Sequence, residues 1–142
     1  IMMEPHIHIT RRERFNAAHR LFRPDYTDLK NEEVFGKCSN PNWHGHNYVL
    51  YVTVAGPLNP ETGFLINLKW LGEHIREKVI SKLDHKNINL EVDFMAGKMA
   101  STENLAIAIW NELAPGIHNT GATLYRVRIE ETENNYVEYY GS

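Results

Sequence analysis

The sequence is poor in cysteine: Cys38 stands alone among 142 residues. An intramolecular disulfide is therefore impossible, and the disulfide-stapled secreted scaffolds are excluded. No apolar run approaches the ~18 residues that a membrane-spanning helix needs. An excess of one charge is also missing. The 15 Lys and Arg stand against 18 Asp and Glu, a net charge of -3 with neutral histidines. That argues against nucleic-acid binding through bulk charge and leaves room for a local basic patch. Repeats, linkers, low-complexity tracts and a Gly-rich dinucleotide motif are absent as well.

What is present describes a globular protein, with 42% hydrophobic residues. The length suits one domain, because two would leave about 70 residues each, too few for a core without staples. Ile1-Met2-Met3-Glu4-Pro5 lacks signal-peptide architecture, and Ile1 is no start residue, so native residues before it are expected to be missing. A single thiol fits a reducing compartment, and the expected location is cytoplasmic. The histidines are numerous, 8 in all, and unevenly placed.

Partial alternation over residues 6–19 predicts a strand with Ile7, Ile9, Arg11, Glu13, Phe15, Ala17 and His19 in one phase. Residues 23–42 read as a long excursion with a short helix near Leu29 to Phe35, and a loop this long is usually functional or mobile. Residues 44–55, rich in β-branched and aromatic side chains, predict a second strand. Asn67 can cap a helix to about Leu83, with Leu68, Leu71, Ile75, Val79 and Leu83 as its apolar stripe. Residues 84–100 read as irregular. Ser101 or Thr102 can cap a second helix that Pro115-Gly116 ends, with Leu105, Ala108, Ile109 and Leu113 inward. Residues 122–132 and 135–140 predict a closing hairpin. The order β-β-α-α-β-β predicts an α+β layer: a four-stranded antiparallel sheet with two helices on one face.

His44-Gly45-His46 opens the second strand, where residues two apart share a face. His19 ends the first strand, so antiparallel pairing brings all three imidazoles together. Three histidines with an open fourth position is the catalytic-zinc pattern. A bare His-x-His is more often not a metal site. His6-Ile7-His8 has the same spacing without a nearby Cys or acid and reads as exposed strand decoration.

Cys38 lies in a polar loop six residues before His44. A nearby metal or cation would make it a thiolate, or it could be a fourth ligand that closes the site. Asp84-His85 can be a proton relay, although adjacent residues need a turn to face one reactant, and helix C-terminal chemistry is the plainer reading. On the last long strand Tyr125, Val127, Ile129 and Glu131 share the apolar phase. A buried Glu131 needs a partner: a ligand with two adjacent N–H donors, such as the 2-amino-pyrimidinone edge of a pterin or guanine, or else an Arg or Lys side chain, unless the strand end is simply exposed.

Five stretches, in order along nearly the whole chain, resemble the 6-pyruvoyl tetrahydropterin synthase family. They are Phe15 to Leu21, Gly36-Lys37-Cys38 through Tyr48, Leu83 to Asn87, Ser101 to Asn104, and Glu131 to Asn135. The gap from Cys38 to His44 resembles the animal type. The related 6-carboxytetrahydropterin synthases typically have a shorter gap. The resemblance implies a single pterin synthase domain over residues 1–142, with the tunnelling fold. It further implies trimers whose sheets close into a barrel, stacked into a homohexamer with active sites at subunit interfaces.

By the same resemblance, zinc is held by His19, His44 and His46, and Cys38, Asp84 and His85 are catalytic, the last two reaching in from a neighbouring subunit. Glu131 anchors the pterin, with Thr102 and Glu103 beside it. Trp43 departs from the pattern, standing where a small residue, often Gly, precedes His-Gly-His. The implied reaction converts 7,8-dihydroneopterin triphosphate to 6-pyruvoyl-tetrahydropterin in tetrahydrobiopterin biosynthesis, with loss of triphosphate. The alternative is 6-carboxytetrahydropterin synthesis on the same substrate. Magnesium is expected only as a counterion of the triphosphate. Arg126 with Arg128, or Arg20 with Lys86, are the cations for that group, unranked by sequence.

Overall fold

Burial turns the alternation of the first strand into a sided surface. In the computed structural model, which describes residues 5–142, β1 (His6–His19) keeps Phe15, Ala17 and His19 buried while Arg14 and Asn16 face outward. Ile1 to Glu4, on which the reading of the N-terminus rests, lie outside the described residues. A helix α1 (Asp28–Phe35) and a 3-10 turn (Gly36–Ser39) fill the excursion before β2 (His44–Pro57). Gly36 makes the junction between helix and turn at φ 59°, a conformation that costs glycine nothing. β1 and β2 pair antiparallel along their full length, from His6 opposite Pro57 to His19 opposite His44.

The expected helix after Asn67 forms as α2 (Leu68–Ile75), a π turn (Arg76–Ile80) and a last turn α3 (Ser81–Leu83). The Asn67 side chain caps it, accepting from the N–H groups of Lys69 and Trp70 at 3.0 and 3.2 Å. Leu71, Ile75, Val79 and Leu83 are all fully buried, while Leu68 is exposed at 51% and drops out of the stripe. Apolar residues spaced by four drift about 40° per step around an α-helix. The wider π turn takes up part of that drift and keeps all four on the core.

Three expectations fail for physical reasons. The sheet has five strands, not four, in the order β3-β1-β2-β4-β5, and it is mixed rather than antiparallel. The extra strand, β3 (Lys86–Asn87), runs parallel to β1, opposite Ala17 and Ala18, inside the stretch read as irregular. Two residues are too few to show a period. That stretch also holds α4 (Ile88–Glu91) and a 3-10 turn (Asp93–Met95). The count of two helices is therefore also too low.

Second, the long helix α5 (Thr102–His118) runs through Pro115 instead of ending there. Proline forfeits one backbone hydrogen bond, but the turn is held from α2. The His74 ring fills the place a side chain on Gly116 would occupy, and its Nε2 lies 3.2 Å from the Leu113 carbonyl oxygen. Third, Tyr125 leaves the apolar phase of β4 (Thr123–Glu130). A bulge opposite Thr53 and Val54 makes Tyr125 an extra residue, so Leu124 and Val127 are buried while Tyr125 is exposed beside His8. β4 then pairs antiparallel with β5 (Tyr136–Tyr139).

The core lies between one sheet face and the helices α2 and α5. Among the described residues, no helix is long and apolar enough to cross a membrane.

Candidate metal centre

Strand pairing does the assembly. His19 lies opposite His44, and His46 lies opposite Ala17, two residues back along β1. The three rings stand edge to face, with centroids 4.4 Å apart for His19 and His44, 5.1 Å for His19 and His46, and 4.9 Å for His44 and His46. One ligand atom from each, with a carboxylate oxygen of Glu131, falls within 4.8 Å of the others. Glu131 follows β4 directly. Its Oε1 lies 3.1 Å from His46 Nε2 and 3.4 Å from His19 Nε2.

His19 is 1% exposed, and its Nδ1 is 2.7 Å from the Ala100 carbonyl oxygen. A carbonyl only accepts, so Nδ1 carries a proton and Nε2 is the nitrogen turned to the cluster. Nε2 of His19, Nδ1 of His44 and Nε2 of His46 are buried with no aligned hydrogen-bond partner. Burial holds His44 and His46 below the usual imidazole range, with the neighbouring rings adding to it and Glu131 working against it. Three ring nitrogens without an aligned partner, converging beside a carboxylate, fit a divalent metal.

Glu131 is held down to about 2, first by the His19 imidazole beside it, then by the Thr102 hydroxyl and the charge of His46, against the cost of burial. Thr102 Oγ1 donates to Glu131 Oε2 at 3.0 Å. Thr102 is buried in the first turn of α5, and Ser101, not Thr102, is the cap, accepting from the Asn104 N–H at 3.2 Å. Glu131 thus has neither an Arg or Lys partner nor simple exposure as its answer to desolvation, but two imidazoles and the Thr102 hydroxyl. Glu103, one residue on, is exposed and bonds to no member of the cluster.

Cys38 sits half-buried on the 3-10 turn, which is pinned by the Leu21 N–H on the Cys38 carbonyl at 2.7 Å and by Arg20 Nε on the Ser39 carbonyl at 2.8 Å. The buried Tyr48 hydroxyl is pushed well above the usual phenol range by burial first, then by Glu131 and Cys38.

Asp84 and His85 are elsewhere. The Asn16 main chain clamps both: its N–H donates to Asp84 Oδ1 at 2.9 Å, and its carbonyl accepts from the His85 N–H at 2.6 Å. The Asn16 N–H is the chief reason the Asp84 carboxyl lies below its ordinary value. His85 Nδ1 meets Asp84 Oδ2 at 3.0 Å rather than the last helix carbonyls, and the residue takes φ 60°. The clefts they line also involve Arg14, Asn16 and Asn47, which project from the sheet face opposite the helices, and His85 shares one of these clefts with His46. Within one chain neither bonds to the histidine cluster. His6 and His8 are exposed at the far end of β1.

The model of the family described as 6-pyruvoyl tetrahydropterin synthase matches residues 8–142. The chain belongs to the 6-pyruvoyl tetrahydropterin synthase family. The human protein named 6-pyruvoyl tetrahydrobiopterin synthase is 42% identical over 133 residues, 94% of this chain and 90% of that protein. The protein of that name from Dictyostelium discoideum is 44% identical over 133 residues, 94% of this chain and 95% of the other. The solved structure of the Caenorhabditis elegans 6-pyruvoyl tetrahydropterin synthase superposes with a TM-score of 0.92 at 37% identity, covering 100% of both chains. In this family member the Trp43 backbone takes φ 66°, the left-handed region that a glycine adopts freely. Sequence reading missed Tyr48 and the Ala100 carbonyl. The first was legible, since it continues the phase of His44 and His46.

Proposed function

We propose that this chain converts 7,8-dihydroneopterin triphosphate to 6-pyruvoyl-tetrahydropterin and inorganic triphosphate, in tetrahydrobiopterin biosynthesis. Family membership supports the reaction class. The observation that carries the reading is the convergence of His19, His44 and His46 on one point beside the Glu131 carboxylate, which Thr102 holds in place. These three histidines would hold zinc, which when bound supplies Lewis-acid polarisation of the substrate's side-chain hydroxyls and acidifies the adjacent C–H.

Glu131 accepts from the two adjacent N–H donors of the pterin edge, and Thr102 orients it. Glu103 stands next to this pair and completes the pterin contacts. Cys38 as thiolate takes the side-chain proton, and Asp84 orients His85 to relay protons. No external oxidant or reductant is consumed, because the reaction is an elimination joined to an internal redox tautomerisation.

Arg126 and Arg128 are spent on Glu138 and Glu130, at 3.0 and 3.2 Å, on the face away from the helices. Lys86 lines a cleft with His46 and His85, and Arg20 follows His19, so these two are the cations for the triphosphate, with magnesium as its counterion. The assembly is a homohexamer of cytoplasmic location, with one pterin synthase domain per chain. Its interfaces bring Asp84 and His85 of one chain to the histidine cluster of another.

The test is incubation of the zinc-loaded chain with 7,8-dihydroneopterin triphosphate, reading triphosphate release and product mass. A three-carbon pyruvoyl side chain supports the reading. A carboxylate at that position would assign the chain to 6-carboxytetrahydropterin synthesis instead, and absence of release would reject both.

A further inference from the structure

Metal binding accounts for the orphaned nitrogens of His19, His44 and His46. It leaves a fourth buried atom at this end of the sheet without a partner, the hydroxyl of Tyr48. Tyr48 is 1% exposed. Its ring stacks on Phe15 at 4.8 Å and meets the His46 ring edge-on at 5.5 Å. Phenylalanine would make the same ring contacts without burying an unpaired hydroxyl.

The place of this side chain is defined by the histidine cluster, since its ring lies edge-on to His46 at 5.5 Å and to His19 at 6.2 Å. It therefore stands beside the site read above as the one that binds the reacting side chain of the substrate.

We propose that Tyr48 is a further catalytic residue, whose hydroxyl donates a hydrogen bond to the substrate side-chain oxygen on which negative charge grows as Cys38 removes the neighbouring proton. The phenol stays protonated throughout and transfers nothing. Its contribution is a fixed donor in a water-poor site, aimed at a charge that is larger in the transition state than in the bound substrate. The inference rests on the substrate reading above.

The test is Tyr48→Phe in the full chain, loaded with zinc and assayed with 7,8-dihydroneopterin triphosphate beside the parent. The expected result is a kcat about 10- to 100-fold lower, with KM within about threefold because the interaction strengthens only in the transition state. Zinc content should match the parent. The thermal midpoint without substrate should be equal or higher, since an unpaired hydroxyl has been removed.

A kcat equal to the parent's overturns the proposal. So does a midpoint lowered by more than about 3 °C or a loss of zinc, either of which marks a structural role. The parent separates the two readings. If it releases no triphosphate, the substrate reading falls and takes this one with it. If it turns over and Tyr48→Phe equals it, only the role of the hydroxyl falls.

Discussion

His19 Nδ1 donates its proton to the carbonyl of Ala100 at 2.7 Å. A strand end is thereby tied to the segment leading into α5, and the ring is fixed in the tautomer that leaves Nε2 free. His19→Ala should cut bound zinc to well below one equivalent. It should also cost about 1–3 kcal/mol by stranding the Ala100 carbonyl. Metal analysis and urea unfolding of the metal-free chain read the two effects separately.

Cys38→Ala should abolish triphosphate release while zinc stays bound. Retained activity would remove the thiolate from the reaction. Lost zinc would make Cys38 a ligand. One metal analysis beside one assay decides between them.

Glu131→Gln keeps the shape and removes the charge. Zinc content should hold, and substrate KM should rise roughly 10-fold or more, because a hydrogen bond to an ionised group contributes about 1.5–3 kcal/mol. Loss of zinc from this variant would make the carboxylate a fourth ligand rather than the pterin anchor.

Asp84 supplies the pH dependence. Its carboxyl lies below its ordinary value, chiefly because it accepts the Asn16 N–H. A depressed carboxylate contributes stability above its unfolded pKa, about 3.9, and loses it as pH falls through the folded value. Urea midpoints of the parent and Asp84→Asn should therefore differ at pH 7 and converge below about pH 4. A gap that persisted in acid would place the effect outside this ionisation.

At Trp43 the comparison is between two truncations. Trp43→Gly and Trp43→Ala lose the same ring, but only glycine takes φ 66° without strain. The glycine variant should be the more stable by about 1 kcal/mol, measured by urea unfolding.

The strands and helices that carry a period were legible in the sequence, and so was the meeting of His19 with His44 and His46, because it follows from strand phase and antiparallel pairing alone. Features made by single contacts were not. β3 depends on Asn16 accepting the His85 N–H, and the passage of α5 through Pro115 depends on the His74 ring lying against Gly116. The bulge at Tyr125 shifts a phase that periodicity takes to be continuous. Besides the two imidazoles, Glu131 takes a hydrogen bond from Thr102, 29 residues away and in a different element, which no local pattern encodes.

Within one chain neither Asp84 nor His85 bonds to the histidine cluster, and the proposed assembly supplies that pair from a neighbour. A chain damaged in one half of the proposed machinery keeps the other half intact. Chains carrying Cys38→Ala and chains carrying His85→Ala would each be idle by themselves. Unfolded together and refolded as a mixture, they would rebuild some complete sites by genetic-style complementation, each borrowing what the other kept.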